Sequence, residues 1–515
     1  MRRLTNLAAW CVLVVFVVAG PGCKSSGQGA GETSIPGEGG NGGGGSPASG
    51  GNGGGAGATG TTVEPPIAGC SNVTSGWLDT TPGPNSRVVY VSDSTGSDTS
   101  DGSTETTPVK TLDRAKTLMR KGNPDFMLLK RGDVFRDQSF GNWTLTGPSP
   151  AEPVVIGAYG DESLPRPMII PPQGRAVMQV QGGGGVDSFA VLENLVLTSL
   201  HFYAAWRDPE SGEFVGPEPS APAVSILRPL RNLRFEDLLV DSFSNIVIQP
   251  AVPDGETYGG TGFSMHRSVV VDNYNLSSSG HAQGIYITAV DDALFEENIF
   301  DHNGWREGIA GAEATMFNHN FYVQSTCAHV VLRNNVIARA SSHGFQLRPH
   351  GLAEDNLVVG NAIAGFVAGD NPVPGMLQAL RGNVVLHAGQ HLFDDGSDRG
   401  WGLEMMLPQP DIAASVDATN NIVAHSGPVG RSPLVLDDAV TASGNVVWDW
   451  GGRSDPGPFA EPTRSLETYQ AAIGGQPTVE AFLAAARAQR RGHYCLEYTT
   501  AAVLPYVRAG FAPAP

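Results

Sequence analysis

Basic residues are scarce in this sequence: 32 lysines and arginines against 51 aspartates and glutamates leave a formal net charge of −19. A surface of that sign repels nucleic acid, and no cluster of Lys or Arg forms a local basic patch to offset it. Any polyanionic partner therefore needs a cationic site built for it. Tight hairpin dipeptides between successive apolar segments are also sparse, which disfavours an antiparallel sandwich. Cysteine is rare, with five in all, and Cys11 and Cys23 fall in the N-terminal leader. Cys70, Cys327 and Cys495 remain, without metal-ligand spacing. Their odd number allows one disulfide in an exported protein and leaves its pairing open.

What is present is repetition. QGIYIT (283–288), HNFYVQ (319–324) and HGFQLR (343–348) share one template, with Ile285 and Ile287, Phe321 and Val323, and Phe345 and Leu347 each two places apart and so on one face of a strand. A second template sets asparagine before apolar residues: ENIF (297–300), NNVI (334–337), DNLVV (355–359), GNVVL (382–386), NNIVA (420–424) and GNVVW (444–448). Phe321 to Phe345 is 24 residues, and Asn335 to Asn356 is 21. Short strands with a recurring asparagine at this period predict an all-β fold, a right-handed parallel β-helix in which each repeat is one turn of a solenoid. The asparagine is expected to adopt a left-handed backbone and to bond its copy in the next coil.

Four regions follow. Residues 1–23 carry Arg2 and Arg3, an apolar run from Leu7 to Ala19, and GPGC ending at Cys23. This resembles a bacterial lipoprotein signal peptide, which implies lipidation of Cys23 and anchoring to a membrane, in the outer membrane or at the cell surface. Residues 24–69 are dominated by Gly, Ser, Ala and Thr and cannot offset chain entropy by burial, so a disordered tether is expected. Residues 70–460 form the solenoid. Residues 461–515 read as a helical cap at its far end: Ser465 caps one helix, Thr478 caps another, and Val479, Phe482, Leu483 and Ala486 make an apolar stripe. At the near end, RVVYV (87–91) precedes TPVKTLDRAKTLM (107–119), where Thr111 caps a helix from Leu112. YVSDSTGSD followed by TPVKTLDRA resembles the N-terminal cap of right-handed parallel β-helices.

Aligning the three segments on their apolar template stacks Gln283, His319 and His343 in one column. Gly284, Asn320 and Gly344 make the next, then Tyr286, Tyr322 and Gln346, then Thr288, Gln324 and Arg348. Coils lie about 4.8 Å apart, so these residues form one patch, with a glycine column expected to admit a ligand to the backbone. The constellation resembles that of β-helical polysaccharide lyases, which implies β-elimination on a uronic acid-containing polysaccharide. That reaction needs a cation on the carboxylate, a base for the adjacent proton and an acid for the leaving oxygen. Arg348, with Gln324 or Asn320, is the candidate for the carboxylate. His319 or His343 is the candidate base, and Tyr322 or Tyr286 the acid.

Gln346 and Gln283 are expected to bind substrate. So are four residues on two insertions, Tyr203 and Trp206 on 201–222, and Trp305 and Arg306 on 301–316. His350 reads as solvated. Calcium is the candidate cofactor, with Asp291, Asp292, Glu296, Glu297 and Asp301 as one acidic group and Asp93, Asp98 and Asp101 as a second, although plain turn or surface chemistry accounts for both. Two alternatives stand beside the lyase: a non-catalytic glycan-binding surface protein or adhesin, and a glycoside hydrolase of polygalacturonase type, whose Asn-Thr-Asp and Arg-Ile-Lys elements are absent.

Overall fold

Residues two apart point the same way along a strand, so the paired apolar residues of each repeat turn inward and fill a tube. The computed structural model describes residues 70–182, 190–369, 373–389 and 399–513. The leader with Cys23 and the tether of 24–69 lie outside these. Among the described residues the strands form three parallel sheets of 12, 11 and 10 strands, visited in that order by each coil. We call them sheets 1, 2 and 3. Inward side chains stack from coil to coil: Phe235, Phe263 and Phe295 lie on successive strands of sheet 1, offset from direct register by two residues at each step, with ring centroids 5.4 and 5.6 Å apart. The expected β-helix is thus observed.

The corner between sheets 1 and 2 is held by the recurring asparagines. Asn356 is typical. Its Oδ1 accepts from the backbone N–H and the Nδ2 of Asn335, both at 3.0 Å, while its Nδ2 donates to Leu332 O and to Asn383 Oδ1, both at 2.9 Å. The ladder runs through Asn298, Asn335, Asn356, Asn383, Asn421 and Asn445 at separations of 37, 21, 27, 38 and 24 residues. One detail differs from expectation. The left-handed residue is the one before each ladder asparagine, namely Glu297, Asn334, Asp355, Gly382, Asn420 and Gly444, with φ between 51° and 65°. The asparagine itself is spent on its side-chain bonds, and the residue ahead of it makes the turn.

Helix α1 (Leu112–Leu118) starts at Thr111, whose side chain accepts from Arg114 N, and sets Leu112 and Ala115 on the core at the N-terminal end. The C-terminal region departs from the expected end cap. Helices α2 (Leu466–Ala472), α3 (Val479–Arg487) and α4 (Thr500–Gly510) lie along the flank and cover the outer face of sheet 2. Phe482, Leu483, Ala486, Val503 and Val507 pack on Val269, Ile299, Val336, Leu357 and Val384. The reason is the composition of sheet 2, whose short strands VVV, IFD, VIA, LVV and VVL are buried on both sides. An apolar outer face must be covered, and the helices cover it. Arg487 fastens α3 to Asp272 and Asp301 at 2.7 and 2.5 Å. A disulfide joins Cys70 to Cys495, tying the first described residues to this flank, and Cys327 is buried and reduced.

Asn356→Ala removes the donor to Leu332 O and the acceptor for Asn335 in a site closed to water. A loss of about 2 kcal/mol or more is expected, read as a thermal midpoint lowered by several degrees while far-ultraviolet circular dichroism at low temperature is unchanged.

Candidate functional site on the outer face of sheet 3

Strands Gln283–Ile287, His319–Val323, His343–Leu347, Ile363–Ala368 and Trp401–Met406 are neighbours in sheet 3. Strict alternation would send His319 inward with Phe321. It does not, because the ladder is interrupted at Asn320: Gln283 pairs with His319 and Ile285 with Phe321, and the intervening Gly284 and Asn320 make no pair. Asn320 turns into the core, where it accepts from Asn303 Nδ2 at 2.8 Å and donates to Ala338 O at 2.8 Å. His319 is thereby left on the outer side, with its ring 5.1 Å from that of Tyr322.

Of the four expected columns, the one of Gly284, Asn320 and Gly344 is corrected. Tyr286, Tyr322 and Gln346 face outward in register. Asn320 cannot bind substrate, since its side chain is fully buried. The glycines beside it give no access to ligand either. A Cβ on Gly284 would stand 2.5 Å from Asn320 O and 2.7 Å from the Phe300 ring, and one on Gly344 would stand 2.6 Å from Ala364 O. These glycines exist to fit a crowded corner.

The histidines form a pair, Nδ1 to Nδ1 at 3.2 Å. His319 Nδ1 also accepts the backbone N–H of His343 at 3.3 Å, so it is the acceptor of the pair. His343 Nδ1 then carries the proton, shared between His319 and Ser342 Oγ at 3.1 Å. The tautomers follow: His343 Nε2 bears a lone pair, and His319 Nε2 bears a hydrogen. Burial, then the charge of Arg399, pulls His343 down to about 3, and burial with the neighbouring His343 holds His319 well below 6.5. Both rings are neutral near pH 7. On the next column, Tyr322 oxygen accepts from Arg348 Nη1 and from Gln324 Nε2, each at 3.3 Å. Tyr286 stacks at a tilt 5.4 Å from Tyr322, and its hydroxyl is raised above 10 chiefly by burial. Gln283 has a supporting part: its Oε1 accepts His319 N–H at 2.6 Å and its Nε2 donates to Phe317 O at 3.0 Å.

The residues of the two insertions do not join this group. Trp206 is buried against Phe243 and donates to Pro219 O. Tyr203 donates to Asp208 at 2.6 Å. Arg306 is held by Asp208 and Asp272 at 3.1 and 3.2 Å, and Trp305 donates to Arg339 O. All four are committed to fixing the insertions, so they are corrected from binding to packing residues. His350 is likewise buried rather than solvated.

Calcium fits poorly. Asp291 pairs with His329, Glu296 with Arg333, Glu297 with Arg267, and Asp301 with Arg339 and Arg487. Near α1, Asp98 accepts from Lys110 N and Thr111 N, and Asp101 from Ser103 N, which is turn chemistry. Each of these carboxylates already has donors.

Sequence reading missed Glu404, Phe366 and the His281–Phe317 pair. Glu404 follows Tyr322, Gln346 and Phe366 in the outward column, yet it is 7% exposed and its Oε1 has no hydrogen-bond partner among the described residues. Burial raises it to about 7 against the opposing charge of Arg399. The available signal was a lone acid in an apolar strand, WGLEMM. Phe317 is more than half exposed beside His281, with centroids 5.2 Å apart, on the insertion that leads into His319.

A family model described as a right handed beta helix region matches residues 238–373. No curated protein matches the sequence. Among solved structures the chain is similar to a rhamnogalacturonan lyase, at 15% identity over 76% of this chain and 95% of that one, with a TM-score of 0.44. It is also similar to an alginate lyase from a Paenibacillus strain (11% identity, 70% and 99% coverage, TM-score 0.37) and to a lacto-N-biosidase from Eubacterium ramulus (15%, 70% and 68%, 0.33).

The second insertion carries its own pH dependence. His302 Nδ1 meets Asp272 at 2.6 Å and Nε2 meets Glu307 at 2.8 Å. Burial opposes the charge, but these two bonds prevail and raise the histidine above 6.5. A raised pKa contributes stability that is complete below the unfolded value and is lost as pH rises through the folded one. Amide protection in 302–316 should therefore be greatest below about pH 6.5, fall as pH climbs past the raised value, and lose this dependence in His302→Ala.

Proposed function

We propose that this protein is an exported, lipid-anchored polysaccharide lyase that cleaves a uronic acid-containing polysaccharide by β-elimination. The observation that carries the reading is one outward face on which a neutral histidine pair adjoins a tyrosine held by an arginine. In this reading Arg348 meets the uronate carboxylate and draws charge from the adjacent carbon, which makes its proton easier to remove. His343 Nε2 takes the C5 proton. The electrons of that C–H bond form the C4–C5 double bond, the C4–O bond breaks, and Tyr322 gives its hydroxyl proton to the departing oxygen. One proton leaves the sugar and one is delivered, so no water is consumed. Tyr322 suits this part because its oxygen already faces two donors, Arg348 and Gln324, which would stabilise the negative charge that builds there.

The low pKa of both histidines makes them weak bases, which is compatible with the role only when the carboxylate is neutralised first. Hydrolysis with two carboxylates is less well supported: in the Tyr286–Tyr322–Gln346 column Glu404 is the one acid among the described residues. Export is supported by the Cys70–Cys495 disulfide, which belongs to an oxidising compartment. Cys23→Ser is accordingly expected to move the protein from the membrane fraction to the soluble one.

The direct test is incubation with a panel of uronic acid polysaccharides while following the ultraviolet absorbance of unsaturated products. His343→Ala, Tyr322→Phe and Arg348→Ala should each lower the rate by about 100-fold or more, whereas Trp206→Phe and Asn320→Asp should act on stability alone. Near-wild-type rates in the first three would move the chemistry elsewhere, and glycan retention without unsaturated product would make the face a binding surface.

A further inference from the structure

The outward column of sheet 3 does not end at the proposed catalytic group. Beyond Gln346 it continues to Phe366 and then Glu404, while the neighbouring column, after Gln283, His319, His343 and Ile363, ends at Trp401. Glu404 stands two strand spacings past Arg348, roughly 10 Å along the solenoid axis. The chemistry changes over that distance. Around Tyr322 the groups are a cation and hydrogen-bonding donors; around Glu404 they are two half-buried aromatic rings and an acid whose Oε1 is sealed from water and has no hydrogen-bond partner among the described residues. Buried polar atoms in folded proteins are nearly always satisfied, so an orphan on the outward side of a strand points to a missing partner.

We propose that Phe366, Glu404 and Trp401 form a second subsite on this face, one that takes an uncharged sugar ring of a polymer whose uronate lies at Arg348. This deepens, and rests on, the lyase reading. The substrate it implies is a mixed polysaccharide in which uronates and neutral sugars share one chain. A sugar presents an apolar C–H face suited to Phe366 and Trp401, and hydroxyls suited to Glu404. A second uronate would bring its charged carboxylate against two aromatic rings and a buried acid, surroundings that desolvate the charge without compensating it. Arg399 lies 5.4 Å over the Trp401 ring, and its charge reduces the upward shift of Glu404 without abolishing it. Across the Phe366 ring lies His343, 5.8 Å away and neutral. Among the described residues these are the titratable and charged groups bearing on Glu404. The acid is thus a hydrogen-bond donor below about pH 7 and loses that proton above it.

The test is calorimetric titration of the full chain carrying Tyr322→Phe, which slows turnover, with two probes: tetragalacturonate, and a tetrasaccharide alternating galacturonate with rhamnose. The mixed probe should bind about tenfold more tightly, and its affinity should fall between about pH 6 and 8. Adding Glu404→Ala or Trp401→Ala should erase the preference. Adding Glu404→Gln, which keeps the shape and a donor, should retain the preference and flatten the pH dependence; circular dichroism checks that each variant is folded. Equal or tighter binding of tetragalacturonate, or a preference unchanged in both alanine variants, would overturn the subsite. The two readings fail separately: unsaturated product from the wild type with no preference between probes overturns the subsite alone, whereas no product and no binding of either probe overturns both.

Discussion

From Asn298 onward the turns of the solenoid pass an asparagine whose side chain bonds the neighbouring turns, and the placement of the candidate site depends on that contact. The separations between successive ladder members run from 21 to 38 residues, yet every one arrives at the same corner. Extra length is accordingly expelled elsewhere. Much of it leaves between sheets 2 and 3, where the insertions after Tyr203 and Asp301 sit, just ahead of the strands that carry the candidate site. A second set of corner asparagines there, Asn273, Asn303 and Asn361, repeats the device. One coil has Ala340 at that position, and Asn320 reaches in from the next strand to bond Asn303 and Ala338 instead. His319 itself faces out because the sheet 3 pairing is interrupted one residue later, a break that recurs on the neighbouring strands at Gly284, Gly344 and Ala364.

The three sheets have divided roles. Sheet 2 is apolar on both sides and is closed by the C-terminal helices, with Arg487 and the Cys70–Cys495 bond as fastenings. Sheet 1 presents charged pairs such as Glu296–Arg333 and Arg381–Asp417, which are partly exposed and of small energetic weight. Sheet 3 is the face where aromatic, histidine, amide and guanidinium groups converge. Its concentration of half-buried polar groups in mutual contact marks it off from the stabilising ladders.

The fold was legible because the asparagine and apolar templates are local and recur. The coil order and the inward apolar positions follow from them, while the N-terminal helix follows from its Thr111 cap. The orientation of Asn320, Gly284 and Gly344 was not legible, since it depends on an interruption of the sheet 3 pairing that the apolar template does not announce. Two of the three C-terminal helices were placed in sequence by Ser465 and Thr478, while α4 has no side-chain cap to announce it; their position on the flank reflects the outer face of sheet 2, and short runs such as VVV do not say which of their sides is covered. Tyr203, Trp206, Trp305 and Arg306 looked like binding residues because aromatics on insertions often are; here the insertions need them as their own core. Glu404 was hidden among Trp, Leu and Met, although a single acid in such a strand is the kind of residue burial makes unusual.

The central claim is that the outer face of sheet 3 holds the polysaccharide. It is tested most directly by a crystal structure of the His343→Ala variant soaked with a saturated uronate oligosaccharide. The account predicts density running along the solenoid axis across Tyr286, Tyr322 and Gln346, with a carboxylate on Arg348. Density on sheet 1, or on sheet 3 with the carboxylate turned away from Arg348, would contradict it.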